Sequence, residues 1–132
     1  MIEKLEVRTP THACLVDITA RIEQIVRKSG IEEGVCYVFV PHTTAGVTIN
    51  ENADPTVQAD ILQQLDRIVP WNADYSHTEG NSAAHIKASL MGSSQTILLS
   101  RARLQLGTWQ GIYLAEFDGP RTRKVHIKIM AG

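Results

Sequence analysis

The sequence predicts an α+β domain built on mainly antiparallel sheets with flanking helices. Three observations predict it. Short apolar or alternating segments read as strands; other segments carry helical apolar stripes ended by Gly or Pro; and the two kinds do not alternate regularly, as a doubly wound parallel fold would require. The 132 residues, 43% apolar and 20% charged, suit one compact domain over 1–132 with a hydrophobic core.

Ile2 to Val7 and Ala13 to Ile18 read as a first pair of strands joined through Thr9-Pro10. Thr19 stands where it caps a helix running to about Lys28. Ile18, Ile22, Ile25 and Val26 give that helix its stripe, and Gly30 stops it. Val35 to Val40 is apolar at every position and predicts a central strand covered on both faces. Val47 to Glu51 is a short alternating strand. Asp54 as cap and Pro55 in the first turn then open a second helix. Its buried face is expected from Val57, Ile61, Leu62, Leu65, Ile68 and Val69, with Pro70 as its stop. A polar loop from Trp71 to Asn81 leads to a short helix over Ser82 to Met91, closed by Gly92. The last third is β: Thr96 to Ser100, Trp109 to Phe117 and Arg121 to Met130, with Phe117-Asp118-Gly119-Pro120 as the final turn.

Composition removes some functions. The net charge is −1 and the basic residues form no long run, against a general nucleic-acid binder. The longest apolar run, Val35 to Val40, is far too short to span a bilayer, and the first residues do not resemble a signal peptide. Cys14 and Cys36 lie in apolar strand segments and read as small buried hydrophobes in a reducing compartment. The expectation is a cytoplasmic protein with neither nucleic acid nor membrane as partner.

Three polar clusters carry the chemistry. The first follows the apolar strand: Pro41-His42-Thr43-Thr44-Ala45-Gly46, then Asn50-Glu51-Asn52-Ala53-Asp54. Loops at strand ends collect binding residues, although Asn and Asp also serve turns and Asp54 is explained as a cap. The second is Tyr75 to Asn81, with His77, followed by His85 on the polar edge of the short helix. Three neutral imidazoles (His42, His77, His85) form a common first shell for zinc or another divalent metal, but their spacing is not a zinc signature by itself. The third is Gly107-Thr108-Trp109-Gln110 with Glu116 to Arg123. Strand parity sets Gln110 and Glu116 with Ile112 and Leu114, and Arg121 and Arg123 with Val125, Ile127 and Ile129. Charges on apolar faces need partners. Two readings stand side by side: a structural ion pair, or a site in which Arg binds phosphate and Glu handles a proton or a metal. In the second reading Arg121 and Glu116 form the polar wall and Arg123 supports them. His126 shares parity with Lys124 and Lys128 and reads as part of a solvated face.

Together these motifs resemble the YjbQ-like family, also called the secondary thiamine-phosphate synthase family. The resemblance rests on Pro41 to Ala45, Asn50 to Asp54, His77 with Gly80-Asn81 and His85, and Gly107 to Gln110 through Glu116 and Asp118-Gly119-Pro120-Arg121. There is one departure: the family usually has a glycine in the turn before Gly107-Thr108-Trp109-Gln110, where this chain has Arg101-Ala102-Arg103. A turn needing positive φ there must change conformation or carry strain.

The resemblance implies a compact α+β fold, a homotrimer, and a divalent metal such as zinc near His42, His77 and His85. It also implies a weak or secondary ability to join hydroxymethylpyrimidine diphosphate to thiazole phosphate, so that the substrate is a small phosphorylated or heterocyclic molecule. Departing pyrophosphate calls for cations, and Arg121, Arg123 and Lys87 are candidates. On this reading Glu116, Arg121 and Asn81 are the catalytic candidates, and Thr43, Thr44, Asn50, Asn52, Lys87, Gln110 and Arg123 the substrate-binding ones. A metal- or ligand-binding trimer without turnover, a metal-assisted hydrolase and a purely structural trimer are the competing expectations.

Overall fold

The computed structural model describes residues 1–132. Eight strands form two antiparallel sheets. Strands β1 (Ile2–Arg8), β8 (Thr122–Ala131), β3 (Gly34–Phe39), β5 (Ser94–Ser100) and β6 (Arg103–Leu104) make a five-stranded sheet in the order β1-β8-β3-β5-β6. Strands β2 (Cys14–Asp17), β7 (Gln110–Glu116) and β4 (Ala45–Glu51) make a three-stranded sheet in the order β2-β7-β4. The helices are α1 (Thr19–Ser29), α2 (Pro55–Ile68) and α3 (Ser82–Met91). The expected α+β class with mainly antiparallel sheets is the one observed.

The core lies between the two sheets. Val7, Cys36, Val38, Ile97, Leu99, Val125 and Ile127 from the larger sheet meet Ala45, Val47, Ile112 and Leu114 from the smaller, and Ile22 and Val26 of α1 join the same cluster. A second cluster on the far face of the small sheet packs Ala115 and Phe117 against Ala84 and Ala88 of α3, with Leu62 and Leu65 of α2 at its margin. Strand β7 is therefore buried on both faces, which is why Gln110–Glu116 holds a nearly continuous apolar run.

Several local expectations hold. Asp54 caps α2, accepting from the Thr56 amide at 2.9 Å, and Pro55 is the first helical residue. Gly30, at φ 71°, ends α1, and α3 has the expected bounds.

Others are corrected. Strands β1 and β2 are not partners: β1 pairs with β8 and β2 with β7, in different sheets. The β7–β8 turn likewise crosses between sheets and closes no hairpin. Thr19 is the first residue of α1 and not its cap; its hydroxyl donates to Asp17 Oδ1 at 2.6 Å and accepts from the Ile112 amide at 2.8 Å. No residue of α2 is fully buried, and Ile68 is 62% exposed, because the helix rides on the rim of the second cluster. Strand β3 is central but covered on one face only: Cys36 and Val38 are buried, while Tyr37 and Phe39 stand exposed on the outer face.

The turn flagged in the sequence keeps its left-handed geometry without glycine. Arg101 and Ala102 have φ of 55° and 60° in the two-residue connection between β5 and β6. Such a turn favours residues that tolerate positive φ, and each L-residue with a Cβ costs about 1–2 kcal/mol there. The α1–β3 loop holds it in place: Glu32 O accepts from the Ala102 amide at 2.9 Å, and Glu33 Oε1 accepts from Ser100 Oγ at 3.0 Å. Glycine relieves the strain but adds freedom to the unfolded chain, offsetting part of the gain. Ala102→Gly is therefore expected to stabilise the protein by about 0.5–1 kcal/mol, read as a higher midpoint in urea denaturation.

Candidate functional site

Three of the six connections between the sheets, the ones without a helix that meet at Glu116, pass one end of the sandwich: β1 to β2 through Thr9, β3 to β4 through Thr44, and β7 to β8 through Gly119. A buried ion pair joins them. The Arg123 guanidinium donates to both oxygens of Glu116, its Nε reaching Oε1 at 2.8 Å. Thr9 Oγ1 donates to Glu116 Oε1 at 2.8 Å, the Asp118 amide donates to Oε2 at 3.0 Å, and Arg123 also donates to Thr44 Oγ1 at 2.8 Å. Glu116 and Arg123 are 0% and 2% exposed. Burial by itself favours the neutral carboxyl, but the hydrogen bonds from Arg123, Asp118 and Thr9 outweigh it and hold Glu116 below the ordinary value of 4.5. Gly119 is required beside them, since a Cβ there would lie 2.4 Å from Thr11 O and 2.9 Å from Thr9 Oγ1.

Strand parity thus assigned Glu116 the right face and the wrong arginine. Glu116 pairs with Arg123, not Arg121. Arg121 precedes the first residue of β8, so parity does not govern its direction. It turns outward, 48% exposed, and donates from Nη2 to Asp118 Oδ2 at 3.0 Å and from Nε to Asp118 O at 2.9 Å. Asn81 Nδ2 donates to the same Asp118 oxygen at 3.0 Å, while Asn81 Oδ1 is buried without a hydrogen-bond partner. Asp118, read from the sequence as part of the turn and of the family motif but not as a site residue, is the link between Asn81 and Arg121.

One helical turn beyond Asn81, His85 faces an open cleft of about 530 Å³ lined also by His42, Thr43, Ser89 and Ser93. The His42 Nε2 accepts from the Lys124 amide at 2.9 Å, which only an unprotonated nitrogen can do. Burial, and next the charge of Arg123, lower the His42 pKa from 6.5, so the ring is neutral at pH 7. The His77 ring meets His85 edge-on, with centroids 5.4 Å apart, and its Nε2 lies 3.7 Å from Glu79.

The three histidines share one end of the molecule but are not arranged as a three-imidazole metal shell. No three His, Cys, Asp or Glu side chains are so grouped, and the His42 nitrogen that would ligate through Nε2 already accepts a backbone hydrogen. Thr44 is buried on Arg123. Lys87 is buried too, on nearly the opposite side of α3 from His85, and its ammonium pairs with Asp66 of α2 at 3.1 Å. Asn50, Asn52 and Gln110 lie at the other end of β4 and β7, because the register pairs Ala45 with Glu116 at one end and Glu51 with Gln110 at the other. The six intervening steps amount to roughly 20 Å. The substrate-binding residues expected from the sequence therefore fall into two groups.

Residues 3–132 match the family described as UPF0047 protein YjbQ-like. The chain belongs to the YjbQ/UPF0047 family. It is 48% identical to the UPF0047 protein YugU of Bacillus subtilis, over 98% of this chain and 99% of that one. It is 50% identical to a UPF0047 protein of Methanocaldococcus jannaschii, over 98% and 94%. The crystal structure of an uncharacterized conserved YjbQ/UPF0047 protein from Clostridium acetobutylicum superposes with a TM-score of 0.95 at 55% identity, covering 97% of this chain and 99% of that one. A protein of unknown function from Sulfolobus solfataricus gives 0.95 at 35% identity, over 100% and 97%. The likeness fixes the family and its fold. No helix of this YjbQ-family chain is long and apolar enough to cross a membrane.

The buried pair predicts an unequal response to mutation. Glu116→Gln leaves Arg123 buried and uncompensated and is expected to cost about 3–5 kcal/mol in chemical denaturation, whereas Arg121→Ala on its exposed pair is expected to cost at most about 1 kcal/mol. Because the folded pKa of Glu116 is depressed, its stabilisation is fully present above pH 4.5 and is lost as the pH falls through the folded value. That part of the acid dependence should vanish in Glu116→Gln.

Proposed function

We propose that the cleft between the His42–Thr44 loop and α3 binds a small phosphorylated or heterocyclic substrate. We further propose that the protein acts there as an enzyme, with thiamine-phosphate synthesis as a secondary activity. The observation that carries this reading is a convergence at one end of the sandwich. A neutral His42 and His85 line the cleft, and the half-exposed Arg121 and the unpaired Asn81 Oδ1, both tied to Asp118, stand at the same end. Asn81 is the residue before α3, and His85 lies four residues on, one turn into the helix.

The reaction suits these groups. The thiazole nitrogen attacks the exocyclic methylene carbon of hydroxymethylpyrimidine diphosphate. The carbon–oxygen bond breaks, and pyrophosphate leaves with the bonding pair. That nitrogen carries no proton, so the demand falls on stabilising the leaving group. Arg121 is the cation available for it, since Arg123 is saturated by Glu116 and Thr44. The neutral His42 ring keeps an Nδ1–H to donate. A divalent metal enters as an addition to the assay and as elemental analysis of tag-free protein. The sealing of Glu116 favours a second reading, a ligand-binding protein without turnover, because it withholds that carboxylate from proton transfer.

Incubating the protein with both half-substrates, with and without divalent metal, and following pyrophosphate and thiamine phosphate separates the two. The enzymatic reading expects turnover that falls about 100-fold or more in His85→Ala and Arg121→Lys, with the melting temperature nearly unchanged. Binding of either half-substrate without product supports the second reading. Turnover indifferent to both substitutions would remove the site assignment.

We also propose that the protein assembles as a homotrimer. Support comes from the outer face of the five-stranded sheet. Leu98, Val35 and Met130 form one cross-strand row, and Tyr37 lies beside Lys128 and Ile2 in the next. Leu98, Met130, Tyr37, Phe39 and Ile2 are each between 43% and 64% exposed in the single chain, an apolar patch of the kind assembly covers. Sedimentation is expected to give three chain masses, and Tyr37→Glu a shift toward smaller species. A stable wild-type monomer at micromolar concentration would sink the proposal.

A further inference from the structure

Another cleft lies at the end opposite the imidazoles. It measures about 700 Å³, within the range of small-ligand sites. Val26 of α1 and Leu104 and Leu106 supply its apolar lining. Its polar lining is unbalanced: Arg27, Arg101 and Arg103 face a single carboxylate, Glu23, an excess of two positive charges.

None of the three guanidinium groups has a protein partner. The ion pairs of the chain are His77–Glu79, Lys87–Asp66, Arg121–Asp118 and Arg123–Glu116, and no side-chain hydrogen bond of Arg27, Arg101 or Arg103 is formed. The amides beside them also offer donors. Gln110 Oε1 is taken by the Gly107 amide at 2.8 Å, which leaves its Nε2 hydrogens free, and Asn52 packs its side chain against Gly111. The strained Arg101-Ala102 turn stands at this cleft, its left-handed residues held by the backbone of Glu32 and the carboxylate of Glu33. Strain concentrated on a ligand-sized concavity is a mark of a binding surface.

We propose that this cleft binds a small polyanion carrying two or more phosphate or carboxylate groups. A monoanion leaves part of the positive charge uncompensated, and a cation is repelled. The planar fork of each arginine matches phosphate and carboxylate oxygens alike. The apolar lining adds contact for a carbon skeleton. The site is separate from the imidazole cleft, being about the length of a strand away. It accounts for Asn52 and Gln110, which the sequence singles out and the imidazole cleft does not use.

Calorimetric titration of the full chain with inorganic pyrophosphate, and separately with citrate, tests it. Wild-type protein should bind at least one probe, with affinity falling as salt is raised. Tighter binding of pyrophosphate assigns phosphate chemistry, and tighter binding of citrate assigns polycarboxylate chemistry. The double variant Arg27→Ala/Arg103→Ala should lose at least about tenfold in affinity, with its circular dichroism and melting temperature preserved because both side chains are exposed. Arg121→Lys leaves this cleft intact and should keep its binding of citrate, whatever it loses toward pyrophosphate at the other cleft. No binding of either probe, full binding by the double variant, or a loss of citrate binding confined to Arg121→Lys would overturn the proposal. The first two results leave the imidazole-cleft reading standing.

Discussion

The contact between Glu116 and Arg123 sets the geometry of one whole end of this protein. Two sheets that face each other need chain segments to cross between them, and here three of the six crossings meet at that pair. A carboxylate and a guanidinium, both withdrawn from water, hold together only if nearly every donor and acceptor is matched. Thr9, Thr44 and the Asp118 amide do the matching, and each belongs to a different crossing. The requirement is reciprocal: the pair fixes the crossings, and the crossings make the pair tolerable.

What the pair fixes reaches the surface in one step. The Asp118 backbone is held by Glu116, and the Asp118 side chain holds Asn81 and Arg121. Arg123 in turn lies close enough to His42 to help keep that imidazole neutral. The exposed polar groups around the imidazole cleft are therefore positioned by a buried network, the arrangement expected where side chains must wait in a fixed geometry for a ligand.

The far end is organised differently. There the control is backbone conformation: a two-residue turn in a left-handed geometry, and the Gly107 amide tied to Gln110. It carries unpaired cations where the first end carries paired ones. Strands β4 and β7 run the length between the two ends, which is why one pair of motifs in sequence serves two places in space.

Much of the fold was legible because the signals are local. Asp54-Pro55 opens a helix, Gly92 closes one, and alternation reports a strand, whatever lies elsewhere in the chain. The family was legible too, from polar motifs in a fixed order. What the sequence by itself determined stops at each residue's own element. It showed that Glu116 and Arg123 lie on apolar faces and need partners, but not that they are each other's partners, because that depends on two strands in different sheets meeting across a core. It grouped Asn52 and Gln110 with the histidines by motif, and only the register of β4 on β7 put them at the opposite end. It predicted both faces of β3 covered, since Tyr37 and Phe39 are as apolar as Cys36 and Val38, and only the tertiary structure decided which face the chain itself covers. Order along a chain fixes local conformation; distance between clusters is set by which strands pair, and that is a property of the whole fold.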